Sequence, residues 1–463
     1  MRTAGLFATR SSSPRLSIGG TGPIAVFVTT TIVSAWYNPA WASGFALREF
    51  SLSAASTSFA GASANNDSPA FLGFNPALAS GVQDQDFQIT LNAIAPSSEA
   101  NFVIANTSAG AQVSGSRNPE GFIQEAIEPG LSLRKRLADS WTAGLSITAP
   151  WGLSTRYDAG WAGRYYAVES KLLTVNLAPD IAWRMNDQFA FGAGLQFQNA
   201  EGKLSNAIDF GSLGSLLSVP GAMPGQQDGF VAFTAKDWGI GYRLGMLWQP
   251  SPDIAVGLAW RSGIKHTLRG NVDFLMDSAG VGTAISAASG AFIDGSARTT
   301  LSLPSTTSAG ISWKTNERLT IMGEVAFTDW STIKELRVNF DNPVQPDDFQ
   351  TYNWSDTWLL AFGARYDVDE RWTLRAGAAV DGSPTRDSTR DPRIPDATRT
   401  WLSAGIEHHL SPTLSMQLGY AKLLFPEEPI NLIPSAPGNQ LRGRLAGTTD
   451  SDADMISFQI TVR

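Results

Sequence analysis

The segment Phe189–Gln198 reads FAFGAGLQFQ, and its side chains alternate in size along the chain. Phenylalanine and leucine recur at alternate positions, while glycine, alanine and glutamine fill most of the positions between them. Successive side chains of a β-strand point to opposite faces, so a period of two predicts a strand with one large apolar face. The other face of this strand is small or polar.

The same alternation returns along the chain, in Gly239–Trp248, Ile254–Arg261 and Trp358–Tyr366. A soluble β-sandwich would bury the apolar face as a core, whereas a membrane barrel turns that face to lipid and lines its lumen with the polar one. Tryptophan residues at the ends of the apolar faces favour the barrel, because aromatic girdles mark membrane interfaces. These residues are Trp141, Trp248, Trp260, Trp313, Trp358 and Trp372.

The connections between strands alternate between short and long. The short ones carry turn residues and lie at 138–140, 186–187, 250–252, 315–317, 368–370 and 411–412. The long ones centre on residues 97–119, 155–164, 204–236, 276–298, 340–354, 382–397 and 426–440. Thirteen connections join fourteen strands, and an even strand number with all short turns at one end is typical of outer-membrane barrels. The sequence therefore predicts an all-β, 14-stranded antiparallel transmembrane barrel in the bacterial cell outer membrane.

Composition narrows the classes of function. A net charge of −8 without a basic stripe argues against nucleic-acid binding, and the absence of cysteine excludes thiol chemistry. The three histidines, His266, His408 and His409, show no Ser-His-Asp or metal-ligand spacing. We therefore expect no catalytic residue, no metal site and no cofactor, and a lipid hydrolase is disfavoured. An adhesin or phage receptor stays open, because any exposed loop permits it.

The N-terminus has the features of an export signal. Arg2, Arg10 and Arg15 precede the apolar run Ile24–Trp36, and Ala40-Trp41-Ala42 matches a cleavage site. The run is too short to span a bilayer, which takes about 20 apolar residues. The sequence predicts a signal peptide over residues 1–42 and a mature chain that begins at residue 43.

Five short motifs occur in order across essentially the whole mature chain: SGFALREFS at 43–51, FNPAL at 74–78, FTDWS at 327–331, DERWTLRAG at 369–377 and IPDATRTWLSAG at 394–405. With these motifs the chain resembles the FadL/TodX-type outer-membrane transporters of long-chain fatty acids and hydrophobic compounds. The resemblance implies an N-terminal hatch, residues 43–85, folded back into a barrel formed by residues 86–463. The hatch segment is rich in Ser, Ala, Gly and Asn and lacks strand alternation, as expected of a segment that fills a lumen.

The resemblance also implies roles for residues of the hatch. Phe45 matches the family's apolar residue beside the ligand, which makes it a gate, and Leu47 is expected to contact ligand with it. Asn75, Pro76 and Ala77 would form a fixed bend, since proline presets φ and asparagine favours turns. The alternative for the Asn-Pro pair is an ordinary surface turn.

A fatty acid carboxylate in the lumen needs a cation or hydrogen-bond donors. Arg337 and Arg399 fall where the family carries basic residues near the ligand head group. Two long loops, 207–223 and 274–293, are unusually apolar and predict an external capture groove. Its expected ligand contacts are Phe210, Leu213, Leu217, Leu275 and Ile285. The alternative is that the two loops only pack on each other.

These features predict passive uptake of long-chain fatty acids through an apolar barrel site. The resemblance implies lateral release beside a kinked strand, which a glycine-rich strand such as Phe189–Phe197 would allow. The alternative is uptake of aromatic or aliphatic hydrocarbons by the same route, with no need for a carboxylate partner. The expected partners are a hydrophobic small molecule, outer-membrane lipid and lipopolysaccharide, around a monomeric barrel.

Overall fold

The computed structural model describes residues 44–463, so the predicted signal peptide and residue 43 lie outside the described residues. One sheet of twenty antiparallel strand segments closes into a barrel, because the first segment pairs with the last from Phe87↔Val462 to Asn106↔Arg444. Six of the fourteen wall crossings are interrupted and contribute two segments each. The prediction of an all-β, 14-stranded barrel is confirmed.

The segments, in chain order, are β1 Gln85–Asn106, β2 Ala126–Ala138, β3 Trp141–Thr148, β4 Gly152–Arg156, β5 Glu169–Arg184, β6 Phe189–Asp209, β7 Asp228–Ser251, β8 Ile254–Arg261, β9 Ile264–Leu275, β10 Gly295–Leu303, β11 Thr306–Lys314, β12 Leu319–Thr328, β13 Glu335–Phe340, β14 Asp348–Thr351, β15 Thr357–Asp367, β16 Trp372–Asp381, β17 Arg399–Ser411, β18 Leu414–Leu424, β19 Glu428–Leu432 and β20 Arg444–Val462. The α-helices are α1 Leu52–Ala55, α2 Phe210–Leu216 and α3 Val281–Ser289. Three 3-10 helices cover Pro69–Gly73, Pro76–Gly81 and Trp330–Thr332. No helix among the described residues is long and apolar enough to cross a membrane.

Each predicted short turn joins two consecutive strands, but the extracellular ends of some strands run further than the sequence indicates. β6 and β7 pair without a loop from Phe189↔Trp248 up to Asp209↔Asp228, so the connection expected at 204–236 shrinks to 210–227. The outward side chains of these extensions are polar, as at Glu201 and Lys203. The apolar alternation that marks a strand is therefore lost there although the ladder continues.

Residues 44–84, which we call the plug segment, lie inside the barrel and are almost entirely buried. The plug segment approaches the wall most closely where inward positions are glycine. A Cβ added at Gly257 would overlap the Ser63 carbonyl, and one at Gly377 would overlap the backbone of Thr57. The glycines between the large outward residues thus leave the room that the plug segment occupies.

Asn75 fixes the bend of the plug segment. Its side-chain oxygen accepts the Ala77 N–H at 2.9 Å, while its amide nitrogen donates to the carbonyls of Ser63 at 2.7 Å and Met246 at 3.1 Å. Asn75 has no exposed surface, so the bend is buried against the wall and is not a surface turn.

The wall is interrupted between β3 and β4, at residues 149–151. β2 pairs with β3 only as far as Leu131↔Ile147, and β4 pairs with β5 alone among the continuous ladders. The plug segment fills the vacated edge: Leu47 N–H donates to Pro150 O, and Gly152 N–H donates to Phe45 O, both at 2.9 Å. Pro150 lacks the N–H that a regular ladder needs. The segment suggested for a kink, Phe189–Phe197, belongs instead to the continuous segment β6.

Candidate ligand-binding site

Phe45 lies in a cage of three tryptophan side chains. Its ring centroid is 4.9 Å from Trp330, 5.5 Å from Trp354 and 6.0 Å from Trp151. Trp330 also packs edge-on against the other two, at 5.4 and 5.1 Å. Edge-to-face aromatic pairs contribute about 0.5–1.5 kcal/mol each beyond their buried area. The cage therefore holds Phe45 firmly at the start of the plug segment.

Phe45 and Leu47 border two different cavities. The upper cavity, about 660 Å³ including its opening, has Phe45 in its floor and mostly apolar walls. Its apolar lining consists of Leu153, Leu172, Leu204, Phe233, Ala235, Leu268, Leu301, Ile333, Leu336 and Ile394, with Tyr352 beside them. The lower cavity, about 590 Å³, includes Leu47, Phe50 and Phe59. Residues 45–47 thus separate the two spaces.

Arg393 places a buried positive charge at the polar margin of the upper cavity. Its guanidinium donates to Asn206 Oδ1 at 2.8 Å, Ser170 Oγ at 3.2 Å and Ser205 O at 3.4 Å. Burial lowers the pKa of Arg393, and the nearby charge of Arg442 lowers it further. No carboxylate of the described residues lies within ion-pair distance of the Arg393 guanidinium, whose direct hydrogen-bond acceptors are neutral, although the charges of Asp391 and Asp348 are near enough to oppose the fall in its pKa.

Three cavities adjoin one another between the loops and Phe45. The outermost, about 810 Å³, lies beside α2 and shares Asn206, Val231 and Arg442 with a middle cavity of about 410 Å³. The middle cavity in turn shares Arg393 and Phe233 with the upper cavity. A linear apolar ligand could therefore extend through adjoining spaces without leaving the protein.

The five loop residues expected to contact ligand occupy three different environments. Leu213 lines the outermost cavity. Phe210 and Ile285 are buried between α2 and α3, where Phe210 packs edge-on against Phe292 at 5.1 Å. Leu217 and Leu275 are exposed, by 56% and 70%, and line none of the three cavities. The two loops therefore pack on each other and also border a groove.

The two arginines expected at the head group do not meet in one site. Arg399 is buried at the loop end of β17 and ion-paired with Asp381 at 2.7 Å. Arg337 is partly exposed and ion-paired with Glu335 at 2.6 Å and Asp347 at 3.5 Å. Neither residue lines the three cavities. Arg393 holds the position beside the apolar cavity instead.

Comparison with known proteins shows which family has this architecture. The family model described as outer membrane protein transport protein (OMPP1/FadL/TodX) matches residues 32–463. The chain belongs to this family. FadL/TodX proteins are outer-membrane transport proteins, and the localisation predicted from the strands is confirmed. A long-chain fatty acid transport protein of Escherichia coli O6:H1 is 29% identical over 416 residues, which cover 85% of this chain and 89% of the relative.

Solved FadL/TodX structures show the same barrel. The crystal structure of a Pseudomonas aeruginosa FadL homologue matches with a TM-score of 0.82 at 25% identity, covering 90% of this chain and 99% of the homologue. The toluene transporter TodX of P. putida matches with a TM-score of 0.62 at 16% identity, over 84% and 93% of the two chains. The second likeness concerns the fold alone.

Sequence reasoning missed Arg393 and the cage tryptophans Trp151 and Trp354. Arg393 directly precedes the IPDATRTWLSAG motif, but its partners Ser170 and Asn206 lie some two hundred residues away. The tryptophans are similarly scattered along the chain. No local pattern brings such residues together.

Proposed function

We propose that this FadL/TodX protein takes up long-chain fatty acids passively across the outer membrane, as a monomer and without a catalytic step or cofactor. The observation that carries the proposal is Arg393, a buried cation that forms no direct ion pair with a carboxylate of the described residues and lies beside a mostly apolar cavity. A buried charge is costly unless it is paired. A fatty acid carboxylate would supply a direct ion-pair partner while its chain occupies the cavity.

Capture begins at the outermost cavity, where Leu213 and its neighbours meet the ligand. Each buried CH₂ contributes about 0.8 kcal/mol, so a long acyl chain gains on the order of 10 kcal/mol in such a space. Binding is therefore easy and release is the harder step. Movement through the middle cavity brings the carboxylate to Arg393 and the tail toward Phe45.

Release requires that residues 45–47 leave the gap beside β4. In this proposal residues 43–85 are the hatch, Phe45 is its gate, and Asn75, Pro76 and Ala77 anchor the part that stays. The ligand then leaves laterally through the interruption at 149–151, between β2 and β4, into the membrane. This route keeps the acyl chain out of water, and within the described part of the chain residues 45–47 are linked to Pro150 and Gly152 by two backbone hydrogen bonds.

Uptake of aromatic or aliphatic hydrocarbons is the second candidate. Most residues that line the upper cavity are apolar, and the polar ones besides Arg393 are Ser170, Lys171, Thr299, Glu335 and Tyr352. A hydrocarbon would use the same cavities and the same exit and would leave Arg393 without a direct ion-pair partner. We favour the fatty acid because its carboxylate would interact with Arg393, whereas a hydrocarbon has no group that could do so.

The test compares oleate, dodecane and toluene binding to the purified barrel in detergent. We expect Arg393→Gln to weaken oleate binding about tenfold or more, since charged hydrogen bonds are worth about 1.5–3 kcal/mol. Hydrocarbon binding should stay unchanged. Arg337→Gln is the matched control, because that arginine is exposed and ion-paired elsewhere.

Arg399→Gln tests the other buried arginine in the same assay. If oleate binding is lost only in Arg399→Gln, the carboxylate site lies at Arg399 and not at Arg393. If the wild type binds hydrocarbons but not oleate, the second candidate, hydrocarbon uptake, is the function.

A further inference from the structure

Four cations project outward from the extracellular half of adjacent wall strands: Lys236, Lys265, Arg269 and Arg298. Lys236 lies directly opposite Arg269 in the β7–β9 ladder, and Arg269 lies directly opposite Arg298 in the β9–β10 ladder. Directly opposed side chains on one face of a sheet are about 5 Å apart at Cβ, and like charges there destabilise the pair. We call these four residues the outer cationic row.

Most of the row has no partner within the protein. Arg298 forms a half-exposed ion pair with Asp341 at 3.3 Å. Within residues 44–463 no carboxylate forms an ion pair with Lys236, Lys265 or Arg269, although Glu201 faces Lys236 across the β6–β7 ladder. An external anion would relieve the repulsion between the opposed cations.

The row lies at the upper edge of the lipid-facing belt. Below Lys236, β7 turns Trp238 and Ile240 outward, each 69% exposed. Two residues of strand span about 7 Å, so the ammonium of Lys236 stands just above an aromatic anchor. Tryptophan favours the level of the membrane interface. Lys236, Arg269 and Arg298 are therefore at the height of lipid head groups in the extracellular leaflet, and Lys265 lies four residues further down β9, toward the groove.

The other side of the barrel has the opposite charge. Asp454, Asp452 and Asp450 of β20 lie opposite Ala95, Ser97 and Glu99 of β1. The outward cation of that region, Lys422, is held by Asp452 at 3.1 Å and Asp454 at 3.0 Å. The side of the barrel formed by β18, β20 and β1 thus has acidic residues at the height where the opposite side has the outer cationic row.

A lipid-facing groove runs below the cationic row on neighbouring strands. Thr307 and Ala309 of β11 are small outward residues between larger ones, with Trp260 on one flank and Phe327 on the other. Two strand spacings separate the flanks, about 10 Å, which accommodates an acyl chain. Trp260 and Lys265 belong to the same wall crossing, five residues or about 17 Å apart along it.

We propose that this face binds lipid A, the phosphorylated glycolipid of the outer leaflet, with its phosphates on the outer cationic row and one acyl chain in the β11 groove. Cations and groove match the two parts of such a lipid in the correct vertical order. Two phosphates fit a row that spans three strands better than the single phosphate of a phospholipid. This site lies outside the barrel and is independent of the proposed uptake route.

The experiment measures hexa-acylated lipid A binding to the purified full barrel in detergent by native mass spectrometry. One juxtamembrane Lys or Arg contributes about fivefold to binding of anionic lipid, so Lys236→Gln/Lys265→Gln/Arg269→Gln should bind on the order of 100-fold more weakly. Lys422→Gln, the cation already neutralised by two carboxylates, should bind like the wild type. A triple variant with wild-type affinity would overturn the site.

Two further measurements distinguish recognition of the lipid A phosphates from recognition of its acyl chain. Dephosphorylated lipid A should lose the cationic contribution, and Ala309→Trp, which fills the groove, should weaken hexa-acylated lipid A severalfold. Phosphatidylglycerol that binds as tightly as lipid A and responds equally to the triple variant would mean unspecific adsorption and contradict the proposal. Heat-modifiable gel mobility checks that each variant is folded, and Lys236→Arg/Lys265→Arg/Arg269→Lys should retain binding.

Discussion

At the level of single residues, the site depends on where two side chains of the plug segment point. Phe45 closes the floor of the upper cavity within its tryptophan cage, and Leu47, two residues later, borders the lower one. The backbone between them is bonded to Pro150 and Gly152. The boundary between capture and release is therefore one short extended segment.

Phe45→Ala should raise the rate of oleate transfer into liposomes severalfold and weaken oleate binding, because the floor of the upper cavity loses its largest side chain. Burying a phenylalanine is worth about 3–5 kcal/mol against alanine, but that energy holds the plug segment and not the barrel ladder. The barrel should stay folded, as measured by heat-modifiable mobility. Phe122→Ala is the control, since Phe122 stacks on Tyr157 at 4.8 Å and lines neither cavity. Unchanged transfer would remove the gate role.

The buried carboxyl group of Asp396 makes the stability of the protein depend on pH. Its carboxylate accepts the Gly44 N–H at 3.0 Å, and burial raises the pKa of Asp396 from 3.8 to about 7, although the charge of Arg399 opposes the shift. A raised folded pKa gives stability that is present below pH 4 and lost as pH rises to 7. The wild type should therefore lose up to about 4 kcal/mol relative to Asp396→Asn between pH 4 and pH 7. Denaturant unfolding followed by tryptophan fluorescence checks this; a stability difference that is constant with pH would contradict it.

At the level of elements, the interrupted strands determine where the wall can open. β3 and β4 are separated by Ala149, Pro150 and Trp151, and residues 45–47 pair with this edge as a substitute strand. The short turns could be predicted from the sequence because turn chemistry is local. The interruption could not, because Pro150 breaks the wall only in combination with the plug residues that occupy the gap.

A disulfide across this contact tests whether the substitute strand must leave. Ala46 and Trp151 form an antiparallel bridge, flanked by hydrogen bonds from Leu47 to Pro150 and from Gly152 to Phe45. Such a pair has its Cα atoms about 4.5 Å apart, within disulfide range. The chain has no cysteine, so Ala46→Cys/Trp151→Cys creates one defined bond.

We expect oxidised Ala46→Cys/Trp151→Cys to lose oleate transfer at least tenfold, and dithiothreitol to restore the rate of the reduced variant, because the locked segment blocks the gap. Comparing one variant in two redox states removes the effect of losing Trp151 from the cage. Equal transfer in both states would show that ligand leaves by another route.

At the level of the whole molecule, the barrel and its filling were predictable to different degrees. The alternation of side chains predicted the wall, and the FadL/TodX motifs indicated the plug. Both signals are patterns of residues that are close together in the sequence. Arg337 illustrates the limit: the break between β12 and β13 makes the facing of its side chain unpredictable, and the structure pairs it with Glu335. Arg393 reaches its cavity from a loop, so its role depended on contacts between distant parts of the chain.

The fit of plug to wall leads to a last prediction. Gly257→Val and Gly377→Val should displace the plug segment, because a side chain at either position would collide with the backbone of Ser63 or Thr57. The barrel ladder needs no glycine there, so the variants should still assemble but conduct ions in planar bilayers more readily than the wild type, whose lumen holds the plug segment. Gly323→Val is the matched control: its added Cβ would meet nothing closer than 3.5 Å, on the outward face of β12. Wild-type conductance in both inward variants would mean that the plug segment adapts to the wall, and the glycines would then not determine closure.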